Sequence, residues 1–184
     1  MHQRLLLPAA MAMCAVLLVG CEDTVPPSAP LPVSQAIVVG GERVVTMLDG
    51  CDPETFAAAN ITCIRQGGVT IERFLDLLDT HQTFGAWRFS PGTLTARSGQ
   101  TLLVRNQGGE VHTFTRVEAF GGGIIDLLNA LSGNPIPAPE CGNLGPDDFI
   151  APGADASALV NQSGTAHYQC CIHPWMRLDI RTRS

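Results

Sequence analysis

The ten residues "HYQCCIHPWM", 167 to 176, concentrate sulfur and imidazole side chains near the carboxyl end of a chain of 184 residues. Within them, Cys170, His173 and Met176 form the pattern C-x2-H-x2-M, which offers a thiolate, an imidazole and a thioether. Two histidines, one cysteine and a weak axial methionine suit a one-electron copper centre, because soft sulfur stabilises Cu(I) and imidazole suits both oxidation states. The stretch therefore predicts a mononuclear copper site that takes one more ligand from elsewhere in the chain.

His112 is the best candidate for the missing ligand. It lies in "NQGGEVHTFT", where a predicted strand turns through two glycines into a second strand rich in threonine and valine. His167 and His81 are the alternatives. Alternation along a strand places His167 on the face opposite Cys170, and His81 follows a predicted helix, so both fit ordinary surface histidines better.

The first twenty residues have the features of an export signal. Arg4 gives a positive start, an almost uninterrupted apolar run follows over 5–19, and "LVGC" ends it at Cys21. This ending resembles the lipobox of bacterial lipoproteins, which implies cleavage before Cys21 and a lipid attached to it. A plain signal peptide or a single membrane anchor is the alternative, although the run is shorter than the ~20 residues that a span needs. We expect three segments: a signal at 1–20, a proline-rich tether at 21–35 and a folded domain at 36–184.

Seven cysteines in an exported chain point to disulfides, because the bacterial envelope is oxidising. Cys14 leaves with the signal and Cys21 is taken by lipid. Five cysteines then remain: Cys51, Cys63, Cys141, Cys170 and Cys171. We expect one disulfide between Cys51 and Cys63, which are near in sequence, and one between Cys141 and Cys171. Cys170 is then the free thiol, and it points away from its neighbour if both lie in a strand. Four bridged cysteines allow three pairings, and the sequence alone does not select one.

Short segments with β-branched and aromatic residues, separated by clusters of Gly, Pro, Asn and Ser, indicate a sandwich or barrel. There are about seven: 42–48, 86–91, 92–106, 111–117, 156–160, 165–171 and 176–184. Apolar residues at helical spacing over 70–79, with Thr70 as a cap, predict one helix. The sequence therefore predicts an all-β sandwich of about seven strands with one extra helix.

The carboxyl-terminal half of the chain resembles the cupredoxins, the blue copper proteins that include plastocyanin, amicyanin and pseudoazurin. Their pattern Y-x-C-x-x-H-P-x-M stands here at 168–176, and an upstream N…HT pattern stands at 106–113. The run P-x-x-L-x-x-x-x-G-x-x-L precedes both at 91–102. The resemblance covers about residues 85–184.

The resemblance implies a Greek-key β-sandwich that binds one copper ion and carries single electrons, not an enzyme. The implied ligands are His112, Cys170 and His173 in the equatorial plane and Met176 on the axis. Asn106 would support these ligands from behind. The electron would leave through the imidazole of His173, beside which Pro174 and Trp175 would form an apolar docking surface.

The chain departs from this family in two places. Residues 120–153 add length between His112 and the cysteine ligand, and Cys171 stands where those relatives do not ordinarily have cysteine. Both features fit a long loop that is tied down beside the copper by a disulfide between Cys141 and Cys171. Four apolar residues of the loop would cover part of the site rim: Ile124, Ile125, Leu127 and Leu128.

Other functions fit parts of the pattern. The C-x2-H pair could bind zinc, although structural zinc sites generally have a second paired half. Cys170 could be a nucleophile activated by a histidine, but no orienting acid or oxyanion site is identifiable. A copper protein for storage, delivery or sensing would use the same four ligands without shuttling electrons. A disulfide-braced interaction module would need no metal at all.

The charge balance bears on the partners. The chain has 17 acidic and 11 basic residues and a formal net charge of −6. An acidic surface argues against binding to nucleic acid, whose phosphates it would repel. We expect a monomeric electron carrier of the bacterial cell envelope, facing the periplasm or the surface, with an unidentified redox protein as partner and lipid at Cys21 as membrane anchor.

Overall fold

The computed structural model describes Arg43 to Arg183. The predicted signal, the tether and the lipid-bearing Cys21 lie outside the described residues.

Two four-stranded sheets form the body of the fold. The strands are β1 (Arg43–Leu48), β2 (Arg88–Ser90), β3 (Thr93–Arg97), β4 (Gln100–Asn106), β5 (His112–Thr113), β6 (Thr115–Val117), β7 (Phe149–Ile150), β8 (Asp155–Val160), β9 (Gly164–Gln169) and β10 (Arg177–Arg183). The first sheet has the order β2-β1-β4-β8 and the second the order β3-β10-β9-β6, while β5 and β7 form a separate pair. In each sheet one neighbouring pair is parallel, β1 with β4 and β3 with β10.

The core lies between the two sheets. Alternate residues of β1 and β4 are buried, Val45 and Met47 in one strand and Leu102 and Val104 in the other. Residues of β10 from the second sheet belong to the same cluster. Each fully buried side chain of this size stabilises the fold by about 1.5–3 kcal/mol. The predicted all-β sandwich is confirmed.

The strands are shorter and more numerous than the seven expected. The segment 92–106 is two strands, because Gly99 takes a φ of 80° in the turn after β3. The segment 111–117 is also divided, into β5 and β6, which pair with different partners. The buried positions keep the same parity from Leu94 in β3 to Val104 in β4, so the sequence pattern hides the first break.

Three helices, not one, accompany the sheets: α1 (Pro53–Ala58), α2 (Ile71–His81) and α3 (Asp126–Leu131). The predicted helix is α2, and the Thr70 hydroxyl accepts a hydrogen bond from the Arg73 amide as expected of a cap. The sequence signal for α1 was overlooked: Asp52 accepts from the Thr55 amide at 2.9 Å, and proline occupies the first helical position. No helix within residues 43–183 is long and apolar enough to cross a membrane.

The long loop 120–153 is tied to the second sheet. Besides α3 it holds two 3-10 turns, Pro139–Asn143 and Pro146–Asp148. The expected disulfide between Cys141 and Cys171 is present. The amide of Gln169 donates hydrogen bonds to the carbonyls of Gly121 and Gly122, and its oxygen accepts from the Gly121 amide. The loop is thus a fixed part of the fold.

Gly123 marks the closest approach of this loop to the strand that carries the cysteines. A Cβ built at Gly123 would stand 1.8 Å from the carbonyl oxygen of Cys171, a backbone atom that cannot swing away. We expect Gly123→Ala to lower the free energy of unfolding by about 1–3 kcal/mol, as overpacked sites do. Denaturant unfolding measures the change.

Gly142→Ala is the matched control, because it lies in the same loop and no atom stands within 4 Å of the added methyl group. It should leave the unfolding midpoint almost unchanged. Equal stability of the two variants would contradict the close approach.

Candidate metal centre

A cysteine and two histidines meet in the core at one end of the sandwich. Cys170 directly follows β9, His173 lies in the loop between β9 and β10, and His112 is the first residue of β5. The Sγ of Cys170 lies 3.8 Å from Nδ1 of His112 and 3.8 Å from Nδ1 of His173. All three residues are buried, and one ligand atom of each lies within 4.8 Å of the others.

A tight loop carries three of the four predicted ligands. The Cys170 amide donates to the carbonyl of Met176 at 3.0 Å, and the Met176 amide donates to the carbonyl of His173 at 2.9 Å. Pro174 stiffens this loop by fixing its own φ. Met176 is buried in the same apolar cluster as Cys170 and alternates with the buried Leu178 of β10.

The Cys170 thiol is buried between the two imidazoles. Burial alone would raise its pKa, but hydrogen bonds with His112 and His173 hold the pKa of the Cys170 thiol well below its ordinary value. The amide of Thr113 also donates to the sulfur at 3.4 Å. Cys171 points the other way, into a second cluster with Cys141, so the predicted opposite orientation of the two cysteines holds.

Asp49 lies behind His112. Its Oδ2 is 2.9 Å from Nε2 of His112, and the two side chains are 2% and 0% exposed. The same carboxylate accepts hydrogen bonds from the amides of Gly109 and Glu110. Because Nε2 of His112 is hydrogen-bonded to Asp49, the other ring nitrogen, Nδ1, faces Cys170.

The Asp49 and His112 pair is strongly polarised. Burial would raise the pKa of Asp49, but the bond to His112 and the two backbone amides lower it to about 2. Burial would lower the pKa of His112, but the bonds to Asp49 and Cys170 raise it to about 9. In the metal-free protein at neutral pH, the imidazole therefore carries a proton between two anions.

A second carboxylate lies behind the second histidine. Oε2 of Glu110 is 3.7 Å from Nε2 of His173 and accepts a hydrogen bond from Nε1 of Trp87 at 2.5 Å. Burial raises the pKa of Glu110. Each imidazole therefore has its Nδ1 toward the sulfur and a carboxylate on its far side.

Asn106 holds the loop that presents His112. Its side-chain amide donates to the carbonyls of Glu110 and Ile150 at 2.8 Å each, and its oxygen accepts from the Gly108 amide. It is fully buried. The side chain thus supports the ligand loop from behind and makes no hydrogen bond to the sulfur.

Both disulfides brace the loops that carry the ligands. The expected Cys51–Cys63 disulfide packs on Gly109, where an added Cβ would lie 2.7 Å from the Cys51 sulfur. The other disulfide joins the residue after Cys170 to the long loop. Each stabilises the fold by roughly 3 kcal/mol on a chain-entropy estimate.

His173 is more enclosed than the sequence suggested. Its ring packs against Phe74, Trp87 and Trp175, with ring centroids 6.4, 6.4 and 5.4 Å away, and it is 2% exposed. Pro174 is buried and Trp175 is half-buried. The docking surface expected at these two residues is therefore reduced to the exposed part of Trp175, because α2 and the residues around Trp87 cover the ring.

The alternative ligands lie elsewhere. His81 is exposed at the end of α2, and the Nδ1 of His167 pairs with Asp179 at 2.7 Å on the outer face of β9. Within residues 43–183, the other group with metal-ligand spacing is Asp49, Cys51 and Glu110, whose cysteine is in a disulfide. The fully buried sulfur of Cys170 is also out of reach of a substrate, which disfavours a thiol nucleophile.

Asp49 and Glu110 were missed by sequence reasoning. Asp49 directly follows β1, and the parallel pairing of β1 with β4 brings it to the loop that precedes His112. The available signal was the position of Asp49, a charged residue directly after a strand whose alternate residues are buried. It points to a site only when the partner strand is known.

The donor set and its spacing fit a trigonal metal site. Metal–nitrogen bonds of about 2.0 Å and metal–sulfur bonds of about 2.3 Å, at the angle of about 120° of a trigonal plane, put nitrogen and sulfur about 3.7 Å apart. A tetrahedral angle gives about 3.5 Å. The observed separations of 3.8 Å match the trigonal case.

Comparisons with known proteins come from structures alone, since no protein-family model and no curated protein matches the chain. A purple cupredoxin from Nitrosopumilus maritimus superposes at a TM-score of 0.45 and 14% identity, over 77% of this chain and 100% of that one. An oxidised proline-to-glycine variant of amicyanin gives 0.39 and 16%, over 80% of this chain and 88% of that one. The plastocyanin of Dryopteris crassirhizoma gives 0.36 and 16%, over 53% and 89%.

Proposed function

We propose that this chain is a mononuclear copper protein of the cupredoxin type that carries single electrons. The observation that carries the proposal is a buried group of the Cys170 sulfur and two imidazole Nδ1 atoms, in which each nitrogen lies 3.8 Å from the sulfur. His112, Cys170, His173 and Met176 would hold the ion. When bound, copper supplies a reversible one-electron couple.

Copper fits better than zinc on two grounds. The spacing matches a trigonal plane, and the thioether of Met176 is a donor that soft Cu(I) accepts and structural zinc sites do not use. The test is the visible spectrum after Cu(II) is added to the purified apoprotein. A copper–thiolate bond gives intense colour, and a colourless product would overturn the proposal.

A site held by buried, hydrogen-bonded ligands favours electron transfer. The protein holds the imidazoles by Asp49 and by packing against Trp87, so little rearrangement is needed when the charge of the ion changes. Storage, delivery or sensing of copper is the second candidate. Reversible voltammetry with fast reduction by a protein donor supports the carrier, whereas transfer of copper to an apo partner supports the second candidate.

Export and anchoring are further parts of the proposal. Two disulfides suit an oxidising compartment such as the bacterial envelope. The lipobox-like "LVGC" supports a lipid at Cys21. Mass spectrometry of the protein from membranes tests the anchor: a diacylglyceryl-modified first residue supports it, and an unmodified cysteine argues against it.

Copper binding should depend on pH through His112. The metal-free imidazole, with its pKa raised to about 9, holds a proton on Nδ1 that copper must displace. As the pH falls from 9 to 7, this proton competes more strongly, and the apparent affinity should weaken by roughly tenfold per unit.

Calorimetry in buffers of different ionisation enthalpy measures the proton that His112 releases. Release should disappear above pH 9, where the imidazole is already neutral. An affinity that stays constant from pH 7 to 9 would contradict this protonation state.

A further inference from the structure

An apolar cavity of about 330 Å³ opens beside the proposed metal centre. One wall consists of residues from α1 and α2, among them Phe56 and Phe74, and the other comes from the start of the long loop, including Ile125 and Leu127. His173 and Glu110 are among the residues that line it. The cavity thus connects the surface with a residue that we place at the metal.

The cavity walls include large apolar side chains that are exposed, although such side chains are usually buried in proteins. Leu127 is 56% exposed and Ile125 is 41% exposed, although both lie in a loop that is tied down by a disulfide. Cavities of this size, mostly apolar with few polar groups, are typical of sites for small molecules. For scale, an apolar cavity of about 150 Å³ is enough for one benzene ring.

Glu110 is the polar group of this cavity and has bonding capacity left. Its side chain is buried, with the residue 6% exposed. One oxygen, Oε2, accepts from Nε1 of Trp87. No described residue donates a hydrogen bond to the other oxygen, Oε1. Oε1 is not fully buried, so it can accept a hydrogen bond from a ligand in the cavity.

A hydroxyl group is the ligand group that fits Oε1. It donates to a carboxylate and it accepts from a carboxylic acid, so it pairs with Glu110 in either state. The walls are apolar and partly aromatic, with the rings of Phe56, Phe74 and His173 available for edge contacts. A flat hydroxylated ring satisfies both the walls and the single polar group.

We propose that this cavity binds a small hydroxylated aromatic molecule, of one or two rings, with its hydroxyl on Glu110 and its ring against His173. The site goes beyond the proposed copper function and does not require the metal. Its occupant lies against the ligand through which charge would reach the copper.

The test compares two probes that differ only in the hydroxyl group: 4-(trifluoromethyl)phenol and (trifluoromethyl)benzene. Fluorine NMR titrations with the metal-free protein should show saturable 1:1 binding of the phenol, with a dissociation constant on the order of 0.1 mM. The benzene should bind roughly tenfold more weakly, because it cannot donate a hydrogen bond to Oε1. Absence of saturable phenol binding, or equal binding of the two probes, would overturn the proposal.

Two alanines of α1 and its end provide matched variants. Ala59 lines the cavity, so Ala59→Trp should fill it and weaken phenol binding by at least tenfold. Ala57 is equally exposed and does not line it, so Ala57→Trp should bind as the parent does. Equal loss in both variants, or unchanged binding in Ala59→Trp, would place the phenol elsewhere and overturn the site.

Loading with Cu(II) separates this proposal from the copper function. A probe beside His173 should show strong paramagnetic broadening in the oxidised protein and little in the reduced protein. If the protein binds the phenol but takes up no copper, the proposed copper function is wrong and the cavity site stands. Binding to the copper-loaded protein without any broadening would place the phenol away from His173 and overturn the cavity site.

Discussion

The copper-loaded Cys170→Ser variant should be colourless. The serine hydroxyl has nearly the shape of the thiol, but it stays protonated where the Cys170 thiol, held by two imidazoles, has a pKa well below its ordinary value. The variant therefore loses the soft anionic donor that binds copper in either oxidation state. We expect the intense visible absorption to vanish and copper affinity to fall by more than the 10–100-fold that losing a supporting residue costs.

The metal-free form of this variant provides the control. Cys170 is the free cysteine of the described residues, so both disulfides should form and the circular dichroism should match that of the parent. Persistence of the colour in a folded variant would mean that another sulfur binds the metal, and the proposed centre would be wrong.

Asp49→Asn should have the second-largest effect. Asp49 accepts three hydrogen bonds, two from backbone amides and one from His112. An amide puts an NH2 group where one of the carboxylate oxygens was. The amide loses fewest bonds when its oxygen stays on His112 and the Glu110 amide and its NH2 group faces the Gly109 amide, so the variant mainly loses the negative charge behind His112. We expect copper affinity to fall by about 10–100-fold.

The reduction potential should also rise in Asp49→Asn. A carboxylate behind the imidazole increases its basicity and favours the more highly charged Cu(II). Voltammetry measures the shift, and NMR of the metal-free protein reports the tautomer of His112.

Asp179→Asn is a matched control for Asp49→Asn. It also breaks an aspartate–histidine pair, here with His167. The side chains of His167 and Asp179 are 35% and 40% exposed, and neither residue is a proposed metal ligand. Affinity and potential should stay at the parent values. If Asp49→Asn behaved like Asp179→Asn, Asp49 would not position the ligand.

The ligands that lie close together in the sequence were predictable, and the contacts between residues far apart in the sequence were not. The pattern from Cys170 to Met176 lies within one loop, so spacing alone brings its donors together. Alternation along β9 likewise separated the two cysteines correctly. In contrast, Asp49 reaches His112 only through the parallel pairing of β1 with β4, which no local pattern encodes.

The enclosure of His173 was hidden for a similar reason. The aromatic side chains that cover it come from α2 and from the segment around Trp87, far away in sequence. The pattern of α2 showed an apolar face but not what that face covers. The resemblance to small copper proteins extends over about residues 85–184 only, so it suggested an open imidazole at the surface.

The two cross-links set an order of events for the newly made chain. One packs on Gly109, three residues before His112, and the other adjoins Cys170, so each disulfide braces a loop that carries a proposed ligand. In the reduced chain, five thiols among Cys51 to Cys171 would compete for a soft metal ion, and oxidation leaves Cys170 as the free thiol of the described residues. We therefore expect copper added after oxidation to bind at the proposed site, and copper added to the reduced chain to bind at several cysteines.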